Sequence, residues 1–359
     1  MNLNPKKTTN SNTGRNLHAD LLKGIAVLMM VQVHITELFS NTIWQNSLAG
    51  KWSLFLGGSP AAPVFMVLMG FYAFSSKPTF ISQITRGLRL ILYGFLLNLG
   101  LNFHLIIRLL TKQIALNIWP YIFGVDIFFL AGLSLILIAV AKRVIGDRLV
   151  YWILMFIVLG LSNQIIPAYN GQIQWVRYLQ AYFYGNQTWS YFPFFPWGAY
   201  PVAGVISSIL SEKFLISKLT ERQWISVFIV LTSLLIATFI YGFDAVSNLQ
   251  RYYHHNGLLV LWNLAFVLWE VALMRLIINP EYHSKVLRWL AWAGKHVTPF
   301  YVFQWLIIGN LATWFYQSLF PLQLLIIFLI TLVMSSFLTL QWIKLKQKIR
   351  TLDKRQLQR

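Results

Sequence analysis

From Leu21 to Trp342 the sequence is a succession of apolar stretches of about twenty residues, separated by short polar connections. A hydrocarbon core of about 30 Å takes roughly 20 helical residues to cross. Within it every backbone N–H and C=O must be satisfied by the chain itself, so stretches of this length cross as helices. On that ruler spans fall near 20–39, 53–75, 84–103, 117–141, 149–168, 191–211, 223–243, 257–279, 297–316 and 321–343, the third continuing toward Leu110 as a tilted or interfacial segment. The expected fold class is all-α, a polytopic transmembrane helix bundle of about ten spans. Of 359 residues, 57% are hydrophobic and 11% charged, too little charge to coat a soluble domain of this size. Trp44, Trp52, Trp119, Trp189 and Trp314 stand at the ends of apolar runs, where an amphipathic ring settles among headgroups.

Lys and Arg alternate in density between successive connections. Lys6, Lys7 and Arg15 precede the first span. Lys77 and Arg86, then Lys142, Arg143 and Arg148, then Lys213, Lys218 and Arg222, then Lys285 and Arg288 follow the even-numbered ones. The other loops hold only Lys51, Arg108, Lys112, Arg177 and Arg251. This asymmetry puts both termini on the cytoplasmic side. The chain accordingly divides into a polar N-terminal tail (1–16), a transmembrane domain (17–343) and a basic cytoplasmic tail (344–359), the last read as an extension along the anionic inner leaflet. The net charge of +19 is spread over short loops and this tail, which fits topology and membrane lipids as partners rather than nucleic acid. The absence of cysteine excludes disulfides, thiolate nucleophiles and Cys-based metal sites. Residues 1–16 lack the apolar core of a signal peptide, so the first span is expected to be retained. The expected location is a plasma or bacterial inner membrane, crossed many times.

An ionisable side chain near the bilayer centre costs about 2.5–3.5 kcal/mol on insertion scales, so each one needs a reason. Asp20, Lys23, Val27, Met30, His34 and Glu37 step by three or four residues and share one helix face. Asp20 and Lys23 sit at its inner end, where pairing or snorkelling explains them. His34 and Glu37 are neighbours toward the outer end. A carboxylate beside an imidazole orients it and raises its basicity, as a general base requires; an interfacial polar pair has the same spacing. Asn98, Asn163 and Asn310 are further polar residues within the apolar stretches, and Asp126, Glu270 and Gln304 fall mid-span and are expected to face the bundle interior. Arg251-Tyr252-Tyr253-His254-His255-Asn256 opens the eighth span at the level of His34. Adjacent residues on a helix point about 100° apart, so the His pair is not read as a metal site. The aromatic, amide-rich loop from Tyr169 to Ser190 suits either a sugar entrance or a rest on headgroups.

Three segments carry a family resemblance. The first, from Asn16 through Asp20, Lys23-Gly24 and on to His34, resembles the first-span signature of membrane acyltransferases. The second, Pro63 to Gly70-Phe71 with Arg86-Gly-Leu-Arg89, resembles their second span and the basic start of the third. The last, Gly294-Lys295-His296-Val-Thr298-Pro-Phe-Tyr301-Val-Phe-Gln304, is similar to their late Gly-x-x-Ser/Thr-x-x-Tyr-x-x-His segment. Phe194-Phe-Pro196-Trp197-Gly198 echoes a stretch of the heparan-α-glucosaminide N-acetyltransferase branch. The Met-Gly70 ending and that stretch favour this branch, and the histidine eleven residues after the basic residue favours the related acyltransferase-three family. Lys23 stands where both families usually carry Arg, and Gln304 where a His is common.

The resemblance implies an enzyme that moves an acyl group, acetyl above all, from cytosolic acyl-CoA to a glycan or similar acceptor at the outer face, with no metal. The catalytic group it implies is His34 oriented by Glu37, with Gln304 or Asn98 donating to the thioester oxyanion. Lys23, Arg86, Arg89 and Lys295 are the cations for acyl-CoA phosphates, and Asn98, Asp126, His254 and His255 the acceptor-side residues. A transporter or lipid-linked-glycan flippase, using the intramembrane His, Asp and Glu as a proton relay, is the competing class, and an inactive acyltransferase relative is a third. No matching halves of the kind transporters carry are visible in the sequence.

Overall fold

A computed structural model describes residues 17–166, 173–214, 219–278 and 284–356. The N-terminal tail, part of the Tyr169–Ser190 loop, Lys218 and the last three residues lie outside them. Among the described residues there is no β-strand, only the isolated bridges Ser40–Leu319 and Val125–Ser190. The chain runs through α1 (Leu17–Phe39), α2 (Thr42–Asn46), α3 (Leu48–Gly58), α4 (Ala62–Ser75), α5 (Phe80–Leu101) and α6 (Phe103–Leu110). It continues through α7 (Trp119–Ile122), α8 (Ile127–Ile145), α9 (Leu149–Ile165), α10 (Gln174–Ala181), α11 (Phe194–Trp197) and α12 (Ala199–Phe214). The last third holds α13 (Glu221–Ala237), α14 (Phe239–Ser247), α15 (Leu249–Tyr253), α16 (Gly257–Ile277), α17 (Lys285–Lys295), α18 (Val297–Phe315) and α19 (Pro321–Gln356).

Seven stretches among these are long and apolar enough to cross a membrane: Leu17–Phe39, Leu48–Ser75, Phe80–Leu101, Ile127–Ile145, Phe194–Lys213, Gly257–Ile277 and Pro321–Thr351. An eighth is the pair α13 and α14, bent by 69°. Of the other two expected spans, α9 is a shorter apolar helix, and α18, which carries Gln304 and Asn310, is not among the seven. The expected fourth span starts at Ile127 rather than near 117. Pro120 and Gly124 confine the preceding residues to the short α7 and a loop, and Asp126 accepts a hydrogen bond from the Phe128 N–H (2.8 Å) as the N-cap of α8. Asp126 is therefore a helix-start residue and not a mid-span one. Residues 344–356 of the basic tail continue α19, which runs from Pro321 to Gln356.

Leu88, Leu92, Leu96 and Leu99 along α5, and Val150, Leu154, Val158 and Leu161 along α9, are exposed. These are lipid-facing rows, since an apolar surface of this extent has no place in water. Their opposite faces are packed: α5 buries Gly87, Gly94, Leu97 and Asn98. In lipid there is no hydrophobic drive between helices, and close backbone approach supplies van der Waals energy instead. Two contacts show it. On α1 and α17, a Cβ at Gly24 would strike the Leu290 carbonyl and one at Gly294 the Asp20 carbonyl. On α4 and α12, a Cβ at Gly70 would strike the Pro201 carbonyl and one at Gly204 the Val67 carbonyl.

A buried chain of hydrogen bonds ties α3, α12 and α16 together. The Ser59 hydroxyl donates to Asn263 Oδ1 (2.7 Å), Asn263 Nδ2 to the Tyr200 oxygen (2.7 Å), and the Tyr200 hydroxyl pairs with His255 Nε2 (3.0 Å). His255 Nδ1 lies 2.7 Å from the Tyr252 carbonyl. A carbonyl only accepts, so Nδ1 carries the proton, Nε2 is left to accept from Tyr200, and every donor in the chain points the same way. His255, 2% exposed, is held at both ring nitrogens within this chain.

Two measurements check these packing statements. Gly294→Ala is expected to lower the thermal midpoint of the purified protein, overpacking costing about 1–3 kcal/mol. Gly160→Ala, with nothing within 4 Å of its added Cβ, is expected to leave it unchanged or higher. The second concerns pH. Burial pushes the His255 imidazole down to about 4 from an ordinary 6.5, so between these values the unfolded chain binds the extra proton and stability falls as the pH drops. Thermal melts across that window are expected to show the loss, with a shallower slope in His255→Gln.

Candidate active site

Helix α1 is the element on which the site is assembled. Its stripe behaves as the helical period requires: Val27 is fully buried, and Met30 and His34 are nearly so. At one end of the stripe Lys23 Nζ donates to Asp20 Oδ1 at 2.7 Å. Farther along, His34 Nδ1 lies 3.0 Å from Gln304 Nε2 of α18. The His34 ring packs on Trp305, with centroids 4.1 Å apart. Glu37 does not orient His34. Its carboxylate accepts instead from the Tyr253 hydroxyl at 3.1 Å, because α15 reaches across to that end of α1. The imidazole's polar partner is an amide 270 residues away in sequence.

Two cavities meet beside this stripe. A small one of about 40 Å³ is lined by His34 together with Val33, Leu54, Phe192, Tyr252 and Tyr253 among others. A larger one of about 680 Å³ has Lys23, Arg86, Lys295, His296, Lys346 and Arg350 in its lining. Its remaining wall is mostly apolar, with Leu68, Met69, Leu90, Phe128, Ala131 and Trp342. Met30, Phe65, Ile127 and Tyr301 line both, so the cationic cavity and the His34 cavity share a wall. The Tyr301 hydroxyl donates to Asp126 Oδ2 at 3.2 Å, which fixes the ring at that wall from the start of α8. A cavity of this larger size is in the range of small-molecule sites, about 300–1,000 Å³, apolar with a few convergent charges.

The expected site residues separate into three groups. His34, Lys23, Arg86 and Lys295 each line one of the two cavities, and Gln304, which lines neither, is joined to them through its contact with His34. Asp126 stands behind the shared wall as the acceptor for Tyr301. Arg89, Asn98, His254 and His255 line neither of these two cavities. Arg89 lies three residues beyond Arg86 but outside the cavity wall. Asn98 is a buried brace, its amide nitrogen donating to the Ile122 carbonyl (2.9 Å) and the Gly124 carbonyl (2.8 Å). Both amide hydrogens are spent, so Asn98 has no donor left for an oxyanion. His254 follows α15 as its C-cap and lines neither cavity; its neighbour His255 is held in the buried chain described above. Among the described residues no group of three His, Asp or Glu is placed to hold a metal.

Tyr253, Tyr301 and Trp305 were not assigned roles by the sequence, yet they frame the site. Tyr301 had a visible signal, since it precedes Gln304 by three residues and shares its helix face. The Phe-Pro-Trp stretch acts at a distance. The buried Trp197 indole donates to the Tyr253 carbonyl at 2.8 Å and so steadies the tyrosine that faces the His34 cavity.

Compared with known proteins, residues 15–241 match the family model described as "Heparan-alpha-glucosaminide N-acetyltransferase, catalytic". No curated protein and no solved structure matches the chain. The matched segment covers α1, the α3–α4 span, the basic start of α5 and the Phe-Pro-Trp stretch, and it exceeds half of the 359 residues. The chain therefore belongs to the heparan-α-glucosaminide N-acetyltransferase catalytic family.

Proposed function

We propose that this membrane protein transfers an acetyl group from acetyl-CoA to an amine or hydroxyl of a glycan at the opposite face of the bilayer. The observation that carries the reading is the shared wall: a cavity ringed by cations abuts one that contains a buried imidazole, with only Met30, Phe65, Ile127 and Tyr301 common to both. Arg86 and Lys295, with Lys23 held by Asp20 beside them, suit phosphates. The apolar remainder of that cavity suits a pantetheine arm, which brings a thioester to the wall near His34.

In this reading His34 is the general base. It takes the proton of the acceptor nitrogen or oxygen as that atom attacks the thioester carbonyl. The tetrahedral adduct then collapses, the C–S bond breaks, and the imidazolium returns the proton to the departing thiolate. Gln304 is the orienting partner. With Gln304 Nε2 donating to Nδ1, the ring proton sits on Nε2; a half-turn of the amide presents Oε1 to an Nδ1 proton and frees Nε2 as the base. Glu37 acts on Tyr253 rather than on the imidazole. The Lys/Arg distribution supports ten spans, cytoplasmic termini and a cytosolic approach for the donor. The membrane is then a plasma or bacterial inner membrane, with lipids around the exposed rows and a glycan as the acceptor.

Two experiments test this. In the first, purified His34→Gln is expected to lose transfer by about 10²–10⁴, while Gln304→Glu, whose carboxylate can only accept, retains it. Wild-type turnover should fall on acidification as the base protonates. Undiminished transfer by His34→Gln would remove the imidazole from the chemistry. The second uses single-cysteine reporters in this cysteine-free chain. Impermeant thiol reagents in intact cells are expected to label Ser47→Cys, Gly185→Cys and Ser318→Cys but not Asp147→Cys, and outside labelling at Asp147→Cys reverses the orientation.

A further inference from the structure

Helix α19 has 36 residues, about 54 Å at 1.5 Å per residue, against a hydrocarbon core of about 30 Å. About sixteen residues are therefore surplus to a crossing. Their positions are not random with respect to the cationic cavity. Trp342, Ile343, Lys346, Gln347 and Arg350 line it, and steps of one, three and four residues place them on one helix face. Lys344 and Lys348 alternate with them and are not part of the wall.

Among the described residues, four of the five Lys and Arg side chains around this cavity have no carboxylate partner. Lys23 is paired with Asp20, but Arg86, Lys295, Lys346 and Arg350 form no ion pair among the described residues. No carboxylate side chain is among the residues lining the cavity. Four helices, α1, α5, α17 and α19, thus converge cations on one space, and like charges so gathered repel unless an anion sits among them. A terminal phosphomonoester carries about −1.5 to −2 charge at pH 7, and a pyrophosphate adds more.

We propose that Lys346 and Arg350 are donor-binding residues, the extension of the last helix forming one wall of the donor site and holding the phosphates of a nucleotide-type thioester. This rests on the reading that the cavity takes acetyl-CoA. It assigns the tail a ligand of defined chemistry in place of a general attraction to anionic lipid. Arg350 brings a planar fork that fits phosphate bidentately, and Lys346 a point charge.

The test is a binding titration of the full chain in nanodiscs of zwitterionic lipid, with acetyl-CoA and with the phosphate-free S-acetylpantetheine. Lys346→Ala and Arg350→Ala are each expected to weaken acetyl-CoA binding about threefold to tenfold, more at low salt than at high, and to leave S-acetylpantetheine unaffected. Arg350→Lys should restore part of the loss. The Lys344→Ala/Lys348→Ala pair, equal in charge removed but off the wall, should bind like wild type. Unchanged acetyl-CoA affinity in Lys346→Ala/Arg350→Ala overturns the proposal, as does an equal loss in the Lys344/Lys348 pair. Anionic lipid that displaces acetyl-CoA from wild type but not from Lys346→Ala/Arg350→Ala assigns the two cations to a headgroup and likewise overturns it. A wild-type chain that binds neither thioester fails the donor reading itself, a result distinct from a donor site indifferent to the tail.

Discussion

The seating of α1 against α17 is the contact on which the remaining arrangement depends. Gly24 and Gly294 let the two backbones touch, each glycine lying against a carbonyl of the other helix. In a medium that gives no reward for hiding apolar surface, such intimacy has to come from shape. The register that results does more than hold two helices. It brings Lys23 and Lys295 into the lining of one cavity, and the turn into α18 carries Gln304 to His34. A methyl group at either glycine would move the cationic end and the imidazole end of the site together.

A second constraint is the handling of polar groups. Asn98 gives both amide hydrogens to carbonyls of the loop before α8, and Asp126 spends one oxygen on the α8 N-terminus and the other on Tyr301. Ser59, Asn263, Tyr200 and His255 satisfy one another in sequence. Against this background the cations of the large cavity stand out, since among the described residues each except Lys23 lacks an anionic partner.

Much of this was legible in the sequence, and the reason is periodicity. The stripe on α1 from Asp20 to Glu37 needed only the 3.6-residue turn to be seen, and Val27, Met30 and His34 are buried as it requires. The apolar stretches and the quoted motifs led to the family to which the chain belongs. What was not legible is partner choice across long separations. Nothing local to His34 shows that Gln304 rather than Glu37 meets it, nor that Tyr253 claims the carboxylate. The placing of Asp126 in mid-span failed for a nearer reason. Hydropathy overlooked Pro120 and Gly124, and with them an N-cap whose side chain was read as a functional acid. Arg89 shows the limit of a basic cluster: of two arginines one turn apart on α5, Arg86 lines the large cavity and Arg89 does not.

The wall common to the two cavities has an electrical consequence. A membrane that sustains an ion gradient tolerates an aqueous hole poorly, yet a reaction joining its two sides asks for a route through. Met30, Phe65, Ile127 and Tyr301 meet this conflict with thioether, phenyl, aliphatic and phenol surface. The cavity beyond them, at about 40 Å³, holds no more than a few waters. Hydrated sodium or potassium finds neither the width nor the ligands there to replace its shell. In the proposed reaction a neutral two-carbon unit on a slender arm needs neither, so the bilayer stays an insulator while the group is handed across it.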